Sequence, residues 1–376
     1  MILNQHSLYL KYVIQYDTMT HRHGGNIISA ARRSGRNAES IIDFSASINP
    51  LGISPMAREA VIGAIDSVQS YPEPEMSGLI SALSAFHGMP PENILAGNGS
   101  TELIYLIPRA LKPKRVLVVA PSFSEYEASL RNAGCKIDYI ELEMRDSFKP
   151  KLKAITDRLD GGHDMLWIAN PGNPVGNIVP RQDMLRLIRE AEKKGVLVVV
   201  DEAFIDFSES DSVKDRAASS ERLIVLRSLT KFYAIAGLRV GYLFGSEAMV
   251  TELAGQKEPW SVNCLGEAAA IASLRDEDYR QATLALIEGE RDFLFEAIGN
   301  IALMRPFQSN ANYIFVRLDS DMGASKLCER MLMEEGLLLR DCSNFQGLDN
   351  RYIRMAVRKR EDNIKLISSL ERIYGQ

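Results

Sequence analysis

The chain has 376 residues, so one large or two moderate domains are expected, and its 46% hydrophobic and 25% charged content excludes a disordered chain. A net charge of −5 gives no reason to expect nucleic acid or an anionic membrane as partner. Cys135, Cys264, Cys328 and Cys342 are scattered without CxxC or Cys/His spacing, which points to reduced cysteines in a cytoplasmic enzyme and to neither a metal site nor a disulfide frame.

Residues 1–20 contain the run LYLKYVIQY, broken by Lys11 and Gln15, with no basic lead and no small-residue cleavage site. This is a poor signal peptide. It reads as an accessory tail, with the ordered enzyme starting near Met19. No stretch approaches the ~20 apolar residues that a membrane span requires.

Farther on, RVLVVAP (115–121), DMLWIANP (164–171), GVLVVVDEAF (195–204) and RLIVLRSL (222–229) predict strands. Their nearly continuous apolar character suits strands covered on both faces. RQDMLRLIREAEKKG (181–195) predicts an amphipathic helix stopped at Gly195. This alternation implies an α/β fold with a mostly parallel sheet. The last third differs. A long helical pattern over roughly 264–300 leads into ANYIFVRL (311–318), LLLRDC (337–342) and RYIRMAV (351–357), predicting a smaller α+β domain.

Ligands of such sheets bind beyond the carboxyl ends of the strands, and four polar clusters lie there. In AGNGSTELI (96–104), Gly99, Ser100 and Thr101 open a helical pattern and suit a phosphate. In ANPGNPVGN (169–177), Asn173 sits in a rigid turn that presents its amide. In VVVDEAFIDF (198–207), Asp201 ends a buried strand, where a carboxylate is costly without a cationic partner. In RSLTKFYAIAGLRVGY (227–242), Lys231 stands among apolar residues and is a candidate nucleophile toward a carbonyl, with Ser228 and Arg239 placed to hold a phosphate. A phosphate cradle, an amide donor, a carboxylate for a cationic nitrogen and an amine for an aldehyde together match the four handles of pyridoxal 5′-phosphate (PLP).

The order GNGST, NPGNPVG, DEAF, SLTK, Arg resembles the fold-type I PLP-dependent enzymes of the aspartate aminotransferase superfamily, from about residue 20 to the C-terminus. HGGN (23–26), DFSASINPLG (43–52), PWSVN (259–263) and RYIRMAVR (351–358) resemble the histidinol-phosphate aminotransferase branch and, within it, the threonine-phosphate decarboxylase family of cobalamin biosynthesis. The resemblance implies a fold-type I transferase: a mostly parallel seven-stranded sheet between helices, plus the small α+β domain. It divides the chain into the tail 1–20, a segment 21–70 joining the small domain, a large PLP-binding domain 71–265 and a small domain 266–376.

The resemblance also implies roles. Lys231 is the covalent anchor of the cofactor and Asp201 its ring-nitrogen partner. Asn173 donates to the ring hydroxyl, and Phe123 stacks on the ring. Gly99, Ser100, Thr101, Ser228, Thr230 and Arg239 hold the cofactor phosphate, and Tyr71 reaches the phosphate of a neighbouring subunit in a homodimer. Arg354 takes the substrate carboxylate; Arg340, His23 and Asn49 take a substrate phosphate. No metal is expected. Phe204 stands where aminotransferases of the superfamily usually carry a tyrosine, and this matches the decarboxylases. The implied reaction is decarboxylation of a phosphorylated amino acid, threonine phosphate or serine phosphate. Transamination of histidinol phosphate is the alternative.

Overall fold

The computed structural model describes residues 23–375, so the expected tail 1–20 lies outside the described residues. In chain order the strands are β1 (Ile42–Asp43), β2 (Ile94–Asn98), β3 (Arg115–Ala120), β4 (Lys136–Glu141), β5 (Met165–Ala169), β6 (Leu197–Asp201) and β7 (Leu223–Ser228). They continue as β8 (Val240–Phe244), β9 (Met304–Phe307), β10 (Tyr313–Leu318), β11 (Leu337–Leu338), β12 (Arg340–Asp341) and β13 (Tyr352–Ala356).

Seven of them form one sheet in the order β2-β8-β7-β6-β5-β3-β4. The pairings from β4 to β7 are parallel, and β8 runs against both of its neighbours. The expected mostly parallel seven-stranded sheet is therefore present. Alternation along each strand divides the core between the two faces. Leu117, Val119, Val198 and Val200 pack on one side with Leu187 and Ile188 of the helix Arg181–Lys193 and Leu83 of the helix Ser77–His87. Val116, Val118, Leu197 and Val199 pack on the other with Ile104 and Ile107 of the helix Gly99–Leu111. A strand apolar at every position is thus apolar for two different layers.

A smaller antiparallel sheet, β12-β13-β10-β9, carries a separate core that includes Ile314, Val316, Ile353 and Met355. Phe44, which follows β1, belongs to that core, and β1 pairs parallel with β11. The structure corrects two expectations here. The pattern over 264–300 is two helices, Cys264–Arg275 and Glu277–Gly299, because Asp276 ends one and its carboxylate accepts the Tyr279 amide N–H of the next. LLLRDC is two short strands with different partners, not one. Among the described residues no helix is long and apolar enough to cross a membrane, and the four cysteines are free.

Candidate active site

The carboxyl ends of β3, β5, β6 and β7 open into one cavity of about 250 Å³, closed from the other side by residues 23–24, 45–48 and the small sheet. Each strand end contributes a side chain: Phe123 beyond β3, Asn173 beyond β5, Asp201 at the tip of β6, and Lys231 beyond β7. Ser100, Thr101, Phe204, Arg239, His23, Arg340 and Arg354 also line it. Eleven sequence-predicted site residues, from His23 to Arg354, therefore line one cavity.

Lys231 lies within the one-turn helix Leu229–Phe232, which is capped by Ser228. Its Nζ donates to Thr230 Oγ1 at 2.6 Å and lies 5.8 Å from the centre of the Phe204 ring. Burial, and then the Arg239 and Arg354 guanidinium groups, push its amine down to about 8, against the attraction of Asp201. That brings a lysine into the range of a working nucleophile.

Asp201 is buried, and burial pushes its carboxyl up. Two donors oppose the push: Tyr126 Oη gives a 2.5 Å bond to Oδ2, and the Ala203 amide gives a 2.8 Å bond to Oδ1. Tyr126 itself stacks on Trp167 at 5.1 Å and meets Phe123 edge-on at 5.9 Å. Phe123 was expected in the site from the sequence, and Tyr126, three residues on, was not. The signal was its spacing, since positions three apart on a helix share a face.

Arg354 spans the cavity wall. Its Nη1 donates to Asn173 Oδ1 at 2.6 Å and its Nη2 to the Ser45 carbonyl at 3.0 Å, over the Tyr313 ring at 4.9 Å. With its oxygen engaged, Asn173 keeps its amide N–H groups as donors. Phe204 meets Tyr313 edge-on at 5.1 Å, so the ring that replaces the usual tyrosine is held in an apolar contact. Arg340 donates to Asn344 Oδ1 at 2.8 Å and to the Asp341 carbonyl, and it lies over Phe345. His23 Nε2 lies 2.7 Å from Glu125 Oε1, with its ring 5.2 Å from that of Phe123.

Five predicted residues do not line the cavity. Ser228 and Thr230 lie buried beneath Lys231, their hydroxyls bonded to each other at 2.7 Å. Gly99 sits directly under Arg239, at a φ of +73°, where a Cβ would clash with the guanidinium. Tyr71 is 84% exposed and rests on Trp260. Asn49 is buried structure rather than a cavity group: its amide donates to the Phe232 carbonyl at 2.8 Å, Tyr279 Oη at 2.9 Å and Thr283 Oγ1 at 2.7 Å, and its Oδ1 accepts the Leu51 amide. Nothing in that side chain is left for a substrate phosphate. Besides Tyr126, the sequence reading missed the segment Ser45–Ile48 as cavity wall, and Asn344 and Phe345 beside Arg340.

The donor set fits PLP. A glycine leaves space beneath an arginine at a helix start, which suits a phosphate. The same cavity is lined by the buried Asp201 carboxylate and by the Lys231 amine, which burial and Arg239 hold low. Ser124 Oγ and Arg354 Nε, both buried in the wall, have no partner among the described residues.

Known proteins place the chain. Residues 39–370 match the model of the family described as aminotransferase class I and II. The chain is 36% identical to the threonine-phosphate decarboxylase of Salmonella typhimurium, over 93% of this chain and 96% of that one. It superimposes on the histidinol-phosphate aminotransferase of Clostridium acetobutylicum with a TM-score of 0.82 at 28% identity, covering 88% of this chain and 98% of that one. For the L-threonine-O-3-phosphate decarboxylase of Porphyromonas gingivalis the TM-score is 0.79 at 25% identity, covering 89% and 99%. With the family match running through nearly all of both sheets, this chain belongs to the aminotransferase class I and II family.

Proposed function

We propose that the chain is a PLP-dependent decarboxylase of L-threonine O-3-phosphate. It releases CO₂ and forms (R)-1-amino-2-propanol O-2-phosphate for the cobalamin nucleotide loop. The observation that carries this reading is a pair of like charges. Arg340 on β12 and Arg354 on β13 are direct register partners, both 7% exposed, and both face the cavity. Cations opposite each other across a strand pair repel, and burial pushes the Arg340 guanidinium below its ordinary value. A ligand with an anion at each end, one carboxylate and one phosphate, resolves that conflict.

PLP, when bound, supplies an electron sink conjugated to the substrate nitrogen. The protein's residues do the rest. Lys231 would anchor the cofactor, Asp201 would pair with its ring nitrogen, and Arg239 with the helix start at Gly99–Thr101 would hold its phosphate. Ser228 and Thr230 support that cradle from below. Arg354 takes the substrate carboxylate, and Arg340 with His23 takes the substrate phosphate. Holding both ends arrests rotation and so fixes which bond at Cα is aligned for cleavage. Once CO₂ has left, Lys231 Nζ or a water would supply the proton that Cα needs.

Two expected results follow. Purified protein loaded with PLP releases CO₂ from O-phosphothreonine with no 2-oxo acid present, measured by trapping labelled CO₂. A strict need for 2-oxoglutarate would move the protein to histidinol-phosphate transamination, the reading that the Clostridium structure favours. O-phospho-L-serine, which gives ethanolamine phosphate, differs by one methyl and is discriminated by only ~1–3 kcal/mol. Second, Gly99→Ala weakens PLP binding about tenfold or more in an absorbance titration. The added methyl displaces Arg239 and strains a left-handed position by roughly 1–2 kcal/mol. An unchanged affinity would remove Gly99 and Arg239 from the cradle.

The same reading makes the protein a cytoplasmic homodimer, divided into the segment 21–70, a large domain 71–265 and a small domain 266–376. Tyr71 supports the dimer: it is largely exposed outside its own cavity, near exposed Ile65 and Val68 in sequence, and it would reach the cofactor phosphate of the second subunit.

A further inference from the structure

Behind the cavity, three carboxylates converge on one fully buried guanidinium. Arg227 Nη1 lies 3.1 Å from Glu202 Oε2, and its Nη2 lies 3.2 Å from Asp206 Oδ1 and 2.7 Å from Glu209 Oε2. Glu202 is also buried, accepting from Ser212 Oγ at 2.6 Å and from the Val213 amide at 2.8 Å. Lys214 adds a second cation at Glu209.

The positions matter more than the charges. All three carboxylates belong to the eight residues that follow Asp201, a segment that also carries Phe204. Arg227 is the penultimate residue of β7, and Lys231 comes four residues later. Asp201 pairs in register with Leu226, and the Glu202 amide donates to the Leu226 carbonyl at 2.8 Å. The guanidinium therefore rivets the chain that leaves β6 to the chain that leaves β7. One strand end bears Asp201 and the other leads to Lys231.

We propose that Arg227 is a positioning residue, fixing the separation of Asp201 and Lys231 through its fork to Glu202, Asp206 and Glu209. The proposal rests on the reading of those two groups as cofactor ligands given above. Stability alone does not call for such a network, because well-packed apolar residues hold two buried segments together as well as or better than ions do. A planar fork of donors adds direction: it fixes where each carboxylate lies, which a point charge or an apolar contact does not. A misplacement of about 1 Å in a site of this kind costs roughly a hundredfold in rate.

The test uses Arg227→Lys, which keeps the charge and loses the fork, and Glu209→Gln, which removes the charge from one arm at a side chain 29% exposed and so tolerant of change. Each variant is loaded with PLP, and the loading rate is followed by absorbance across pH. Turnover and melting temperature are measured alongside. Lys231 is faced by Asp201, which draws its amine up, and by Arg239 and Arg354, which push it down. If the fork loosens, Asp201 recedes and the midpoint of the loading profile moves to lower pH than in the wild type. For Arg227→Lys we expect that shift together with kcat reduced about 10- to 100-fold and KM within about threefold. Glu209→Gln shifts both in the same direction by less. A lowered melting temperature with kcat and loading midpoint unchanged overturns the proposal and leaves Arg227 a structural ion. If Arg227→Lys does not fold, Glu209→Gln decides alone. Wild-type protein that does not load PLP at all defeats the cofactor reading itself, a different result from normal wild-type loading with unshifted variants.

Discussion

Lys231→Ala is expected to abolish the visible absorption of PLP-loaded protein and to lower CO₂ release by ~10³-fold or more, since on the proposed reading it removes both the covalent anchor and the proton donor to Cα. The size of the effect follows from how the protein treats this amine. An ordinary lysine at pH 7 has about three in ten thousand of its side chains neutral; with the amine held at about 8, roughly a tenth are. Burial and two neighbouring guanidinium groups therefore raise the reactive fraction several-hundredfold before any substrate arrives. Loading of apo-protein with PLP should accelerate about tenfold per pH unit up to about pH 8 and level off above it.

The same shift bears on stability, with a definite sign. Because the amine is lowered in the folded chain, between about pH 8 and 10.5 the unfolded chain holds a proton that the folded chain has lost. Apo-protein stability should therefore rise across that window by ~3 kcal/mol from this group, and below pH 8 the cost of burying the charged amine is fully present. Lys231→Ala lacks the rise. Denaturant midpoints at pH 7.5 and 10 for both proteins check this. A variant that keeps the band and the turnover, or a wild type whose stability does not respond, removes Lys231 from the centre of the scheme.

How much of this was legible in the sequence depends on the residue. The strands β3, β5, β6 and β7 stand out because both of their faces are buried, so every position is apolar. β4 at the sheet edge has no fully buried position and gives no such run. β8 follows the site motif so closely that GLRVGY reads as ligand chemistry rather than as a strand. The strand-tip residues that line the cavity were legible because a buried run ending in Asp201 or Lys231 is expensive unless it has a use. Asn49 misled because a sequence places a residue in a segment without giving its direction. Its amide turns into the contact with Tyr279 and Thr283 of the helix Glu277–Gly299. Arg227 was quoted as the first letter of a motif, but its three partners become visible only when the 202–209 segment folds back over β7.

Asp201→Asn should separate function from stability in opposite directions. Asparagine has nearly the shape of the carboxylate and can keep both local bonds: its oxygen can accept the Ala203 amide and its nitrogen can donate to Tyr126 Oη. What it lacks is the negative charge that, on the proposed reading, would pair with the cofactor's ring nitrogen. Removing one preorganised electrostatic group of this kind costs about 10²–10³-fold in kcat. In the apo-protein that charge works against folding. Burial raises the Asp201 carboxyl, so as pH climbs from the unfolded value of 3.8 the unfolded chain ionises first and stability falls. The variant escapes that loss, so apo Asp201→Asn should be more resistant to denaturant than apo wild type at pH 7 and indistinguishable from it near pH 3. A carboxylate kept for function in a dry site is a recognised source of such an exchange between activity and stability, and the proposal puts Asp201 in that position. Full activity in the variant would show that the ring nitrogen needs no anionic partner here. Reduced stability at pH 7 would show that Asp201 is already compensated inside the protein, with Tyr126 and Lys231 as the compensating groups.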